Sequence, residues 1–161
     1  MVKIGLFRSE HGNVIASILN NISDDFEIIT PDVSADILLL NQKPMGVETK
    51  SVMCEAAVVN TDDKQISKFL KGLNTRVITY GLNSKASVTA SSLGDDRLVF
   101  CVQRSFLSLS GIEVLQQEFA IEPRFFGIQA QNDSLFVINC ILPAVAAALV
   151  ADVDFFNHKL S

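Results

Sequence analysis

The chain has 161 residues, enough for one domain with a core of its own. Hydrophobic residues make up 48% and charged residues only 19%, a balance that points to a buried central sheet, an apolar partner surface, or both. The net charge of −5, with no Lys/Arg cluster, excludes the basic stripe that a nucleic-acid partner requires.

In chain order, Val2–Phe7 reads as a strand and Arg8–Asn13 as a loop. Apolar residues at Val14, Ile15, Ile18, Leu19 and Ile22 have helical spacing. Phe26–Thr30, Asp36–Leu40 and Cys54–Asn60 are predicted strands, the second apolar enough to be buried on both faces. Thr61-Asp62-Asp63 is expected to cap a helix carrying Ile66, Phe69 and Leu70 that ends at Gly72. Arg76–Tyr80 is a fifth strand.

The rhythm then changes. Ser87–Ser92, Arg97–Arg104, Ile112–Ile121 and Arg124–Ala130 are short β-type runs, with Gly94-Asp95-Asp96 as a hairpin turn. An Ala-rich helix from about Leu135 to Val150 follows. The expected fold is therefore α/β, a mostly parallel sheet flanked by helices with an attached antiparallel β section, in one domain over residues 1–161.

Ser134–Ala151 contains no charge over 18 residues. Asn139, Pro143 and the acidic flanks Asp133 and Asp152 identify it as a buried core helix and not a membrane span. Cys54, Cys101 and Cys140 are odd in number, form no CxxC pair and sit in apolar runs, so they read as buried reduced thiols. His11 and His158 lie far apart, and no metal-ligand spacing occurs. The start Met-Val-Lys-Ile-Gly is a strand signal and not a signal peptide, so a cytoplasmic location is expected. The Phe residues read mainly as core, with Phe155-Phe156 as a possible partner anchor.

Three segments, in order, resemble the central domain of the Mur ligases. Ala57–Asp63 matches a strand ending in Asn, one variable residue and paired Asp. Val77–Ser92 is similar to a strand, a Tyr/Phe-Gly turn and the following strand. Phe126-Gly127, then Asn139 through Leu149, resembles a Gly, an Asn and an Ala-rich helix. Together they span roughly Ala56 to Leu160. The resemblance implies an α/β core with an antiparallel flap.

The resemblance also defines what is missing. Mur ligases feed their first strand into a Gly-rich loop containing Gly-Lys-Thr, which wraps phosphates with backbone N–H groups. Here that place reads Arg8-Ser9-Glu10-His11-Gly12-Asn13, with one Gly and no Lys. A Glu10 carboxylate about 4 Å from a phosphate would repel it by roughly 1–4 kcal/mol. The family's metal-ligating Glu, His and modified Lys have no clear match; Lys43 and Lys50 read as surface residues. The adenine-contacting His-Asn falls on Leu135-Phe136. The closing C-terminal domain has no counterpart before Ser161.

Enzymatic activity and cofactors are therefore not expected. The leading expectation is a non-catalytic binding or assembly module in a cell-wall context, forming a homo-oligomer or meeting a protein partner, with no nucleic acid and no membrane. The alternatives are a domain that binds a small molecule, such as a nucleotide or UDP-sugar precursor, and a ligase fragment complemented by a partner chain. Open α/β sheets bind ligands at the carboxyl ends of their strands. The candidate ligand residues are Ser9, His11, Asn13, Asn60, Asp62 and Asn139, with no catalytic and no metal residue.

Overall fold

The computed structural model describes residues 1–30, 34–42, 53–70, 73–93, 97–127 and 134–156. Its frame is an eight-stranded sheet in the order β10-β7-β6-β5-β4-β3-β1-β2. The first six strands are β1 (Val2–Leu6), β2 (Phe26–Ile29), β3 (Ile37–Leu40), β4 (Ala56–Asn60), β5 (Arg76–Tyr80) and β6 (Val88–Leu93), all mutually parallel. β7 (Leu98–Val102) and β10 (Gln117–Ile121) continue the sheet antiparallel. β8 (Phe106–Leu107) and β9 (Glu113–Val114) form a separate two-stranded hairpin.

The expected architecture holds: a mostly parallel sheet, helices on its faces and an antiparallel extension. β5 and β6 pair in parallel at Tyr80 with Val88, and the antiparallel part begins where β7 pairs with β6. β3 is buried throughout, Ile37 to Leu40 at no more than 1% exposure, because helices cover both of its faces. Ile37 and Leu39 face one apolar cluster, and Leu38 and Leu40 face another. This alternation is the two-residue period of a strand.

α1 (Gly12–Ile22) and a long C-terminal helical stretch cover the first face. The apolar stripe of α1 runs through Ile15, Ile18 and Leu19, as its spacing predicts. The C-terminal stretch runs as α3 (Ser134–Phe136), a π-helical segment (Val137–Ile141) and α4 (Leu142–Val150). Every residue of α4 is buried, which explains its lack of charge. It lies against α1 and strands β3 to β6, and Ala144 and Ala146–Ala148 permit close approach to the sheet. Among the described residues, no helix is long and apolar enough to cross a membrane. On the second face, α2 (Ile66–Phe69) places Ile66 against Leu38, Leu40, Ala57 and Val59.

Several local expectations need correction. Arg124–Ala130 is not a strand in its described part: Pro123–Phe126 forms a 3-10 turn closed by Gly127 at φ 72°. Pro123 sets the start of that turn, and a left-handed residue ends it. Residues 128–130 lie outside the described residues. Ile112–Ile121 is not one run but β9 and β10, and β9 pairs back to β8. Cys140 is buried as expected, but Cys54 and Cys101 are half-exposed. The turn Gly94–Asp96, the helix end at Gly72, and Lys43, Lys50 and His158 lie outside the described residues.

The helix cap expected from Thr61-Asp62-Asp63 is also different. α2 starts after Gln65, which makes no side-chain cap. Asp63 holds the turn before it, where its Oδ1 accepts from the Gln65 N–H at 2.9 Å. Asp62 turns away from the helix altogether. Phe155 packs inside the fold: its ring stacks on Phe119 at 5.5 Å and meets Phe125 edge-on at 6.2 Å. Phe156 meets Phe119 edge-on at 4.9 Å. These contacts assign both rings first to core packing.

The carboxyl edge of the parallel strands

The loops that follow β1, β3, β4 and β5 meet at one edge of the sheet. Their polar side chains bond to each other in sequence across the strands. The Asn41 amide donates to Ser9 Oγ at 3.2 Å. The Asn60 amide donates to the Asn41 carbonyl at 3.2 Å, and Asn60 Oδ1 accepts from the Asp62 N–H at 3.0 Å. The Asp62 carboxylate accepts from the Leu82 N–H at 2.7 Å, from the Asn83 N–H at 3.3 Å and from the Asn83 side-chain amide at 2.8 Å. That amide also donates to Thr61 Oγ1 at 2.8 Å. A polar ladder thus runs Ser9–Asn41–Asn60–Asp62–Asn83.

The ladder explains the residue types. Parallel strands present their last carbonyls and the following loop N–H groups together, and these need partners. Asn supplies both a donor and an acceptor in a short side chain. The Tyr80-Gly81 turn brings backbone so close to Asp62 that a Cβ on Gly81 would lie 2.8 Å from its Oδ1. Gly81 also adopts φ 154°, inside the region that side chains disfavour.

Of the six candidate residues, Ser9, Asn60 and Asp62 share this ladder. Asn41, Thr61 and Asn83 belong to it as well. Asn83 stands two residues after the Gly of the Tyr-Gly turn, and that position was the available signal for it. His11 sits at the N-cap of α1 without a side-chain cap bond. Asn13 is exposed on the first turn of α1. Asn139 lies apart from the ladder in the π-helical segment, half-buried. A π segment inserts an extra residue into the helical turn and so re-aims the side chains around it.

Beside Ser9 a cleft of about 670 Å³ opens between the β1–α1 loop and the edge strand β2. Arg8, Ser9, Asn13, Asn20 and Thr30 give it a polar lining, and Phe7, Ile28 and Ile29 an apolar one. The first turn of α1 flanks it. A second, smaller hollow of about 340 Å³ lies between Asn60, Thr61, Asp63 and α2.

Under the same edge, Tyr80 is buried at 2% exposure, and its hydroxyl has no hydrogen-bond partner among the described residues. Burial, with Asp62, Asp63 and Cys140 near it, holds the phenol protonated well above its usual range. Burial likewise raises all three thiols, Cys140 to about 11. A raised thiol pKa leaves less of the thiolate that acts as nucleophile at neutral pH.

A pH dependence follows. The folded pKa of Cys140 lies above its ordinary 9.0, so its contribution is complete below about pH 9 and disappears as pH rises toward about 11. The expected loss is up to roughly 2–3 kcal/mol. Urea midpoints measured across this interval should fall, and Cys140→Ala should flatten the fall. An unchanged slope in the variant would mean that Cys140 is not responsible. Tyr80 acts with the same sign at higher pH.

No family model and no curated protein matches this sequence. Among solved structures, UDP-N-acetylmuramoyl-L-alanyl-D-glutamate–2,6-diaminopimelate ligase is similar over 96% of this chain, with a TM-score of 0.52 and 13% sequence identity. The chain has a Mur ligase-like fold.

It spans 44% of the length of that ligase. The Mur ligase-like fold accounts for the parallel sheet with its antiparallel extension. The three sequence segments quoted above form β4 with its Asn-Thr-Asp-Asp end, β5 with its Tyr-Gly turn, and the Ala-rich α4.

Proposed function

We propose that this Mur-ligase-like chain is a non-catalytic binding or assembly module in a cell-wall context, acting as a homo-oligomer or with a protein partner. The observation that carries the reading is the polar ladder. From Ser9 to Asn83, the side chains at the carboxyl edge are engaged with each other and with backbone groups. Phosphoryl transfer relies on positioned cations and donors held ready for phosphate oxygens. The β1–α1 connection offers Arg8, Ser9, Glu10 and His11 where a phosphate loop would place Gly and Lys. In this reading the ladder is a brace that holds four loops together for another surface to use.

A second reading draws on the cleft beside Ser9. Its lining of Arg8, Asn13, Asn20 and Thr30 over Phe7, Ile28 and Ile29 suits a small polar molecule with an apolar part, such as a nucleotide or UDP-sugar precursor.

Calorimetry with ATP and Mg²⁺ separates catalysis-type binding from the module reading. The expected result is no binding tighter than about 100 μM, roughly −5.5 kcal/mol. Tighter binding, lost when Arg8 or Asn13 is changed to Ala, would overturn the module reading in favour of the cleft.

A further inference from the structure

At the opposite end of α4, the protein exposes apolar surface where it should not need to. Three large apolar side chains stand out to solvent within nine residues: Leu107 at 49%, Ile112 at 64% and Leu115 at 57% exposure. They belong to the β8–β9 hairpin and the residues around it. Single exposed leucines are ordinary, but Ile112 and Leu115 also line a cavity, and that combination is not. The cavity measures about 370 Å³. Val114, Leu149, Val153 and Phe156 line its apolar part, together with Ile112 and Leu115.

Among the described residues, the charged groups that line it have one sign: Glu113 and Asp152 bring carboxylates from the hairpin and from the end of α4, and Asp154 is also in the lining. Arg76 lies nearby but donates to the Leu107 and Ser108 carbonyls.

The site is also held in shape. Asp152 follows α4 with φ 70°, a left-handed conformation usually left to Gly. The Val153 N–H returns to the Ala148 carbonyl at 3.0 Å and closes the helix end. In that position the Asp152 carboxylate accepts from Ser110 Oγ at 2.6 Å and from the Ser110 N–H at 3.1 Å. The Leu109 N–H donates to the Val150 carbonyl at 2.7 Å. The hairpin is therefore fastened to the end of the core helix, and the cavity between them is preformed.

We infer that this cavity is a docking site for a partner-protein segment carrying one apolar anchor side chain flanked by Lys or Arg. The anchor would fill the Val114–Leu149–Val153 hollow, and the cations would face Glu113 and Asp152. Charge complementarity selects this occupant: a second copy of this chain, at net charge −5, would set acidic surface against the same carboxylates. The inference rests on the module reading above and gives its partner a chemistry.

The test uses the full chain and short fluorescein-labelled peptides containing Leu between Lys/Arg residues. Control peptides carry Ser for Leu, or Glu for the basic residues. Saturable anisotropy is expected only with the first peptide. Leu115→Ser and Glu113→Lys should each weaken it about ten-fold, with unchanged thermal unfolding. Equal binding of the Ser peptide would reduce the site to unspecific charge attraction and overturn the inference. So would no saturation with any peptide, or a dimer in light scattering that Leu115→Ser abolishes. A silent peptide together with silent ATP calorimetry removes this surface alone. ATP binding, by contrast, removes the module reading whatever the peptide does.

Discussion

Alanine at Phe126 is expected to lower the unfolding free energy by about 3–5 kcal/mol. The side chain is fully buried. Its ring meets Phe100 edge-on at 6.5 Å and Phe125 edge-on at 5.5 Å. Phe100 in turn lies 5.7 Å from Phe119, which stacks on Phe155. Phe126 thus begins a chain of rings that joins the 3-10 turn, the antiparallel strands β7 and β10, and the segment after α4. Its carbonyl also accepts from the Asn21 side chain of α1 at 3.1 Å. Removing the ring leaves a cavity at a junction of four elements, where collapse to refill it is restricted. Phe126→Leu should recover much of the loss. Denaturant unfolding with the slope held constant measures it, and a loss below about 1 kcal/mol would show that the ring chain does not tie these elements together.

Replacing Asp62 by Ala is expected to cost about 1.5–3 kcal/mol, the range for hydrogen bonds to a charged group, with solvent exposure of the carboxylate keeping it toward the lower end. The substitution releases the Leu82 and Asn83 N–H groups and one hydrogen of the Asn83 amide. Asp62→Asn keeps an acceptor for part of this set and should lose less. Gly81→Ala should destabilise through the same contact, because its Cβ would press on the carboxylate. If Asp62 were instead held ready for a metal or a reacting group, removing its charge would be neutral or stabilising. A stability gain in Asp62→Ala would therefore overturn its role as a clamp, and hydrogen exchange at Leu82 and Asn83 would report the loosened turn directly.

Asp62 also shows where sequence reading stops. Locally, Thr61-Asp62-Asp63 before Ile66 satisfies the rule for a helix cap, and Asp63 does hold the preceding turn. Asp62 has an acceptor with two possible uses, and the winner lies about twenty residues away at Leu82 and Asn83. A local rule cannot weigh a partner supplied by the neighbouring strand. The same holds for Arg124–Ala130, whose aromatic residues fit a strand pattern. Pro123 and the packing of Phe126 against α1 and Phe100 favour a 3-10 turn instead.

What the sequence by itself determined was the type of most elements and the class of the fold. Apolar Ile37–Leu40 can be stable only inside, and Ile15, Ile18 and Leu19 can share a face only in a helix, so burial and periodicity leave little choice. The residue chemistry of the β1–α1 connection, Arg8 to Asn13, was equally legible, because side-chain chemistry at one connection is a local property. The tertiary structure alone decided how polar residues were used. Ser9, Asn41, Asn60, Asp62 and Asn83 form one ladder only after parallel pairing of β1, β3, β4 and β5 lines up their ends. It also decided that Ile112 and Leu115 stay exposed around a preformed cavity. Apolar character in a sequence predicts a preference for burial. Which apolar groups go without it depends on where the rest of the chain has already packed.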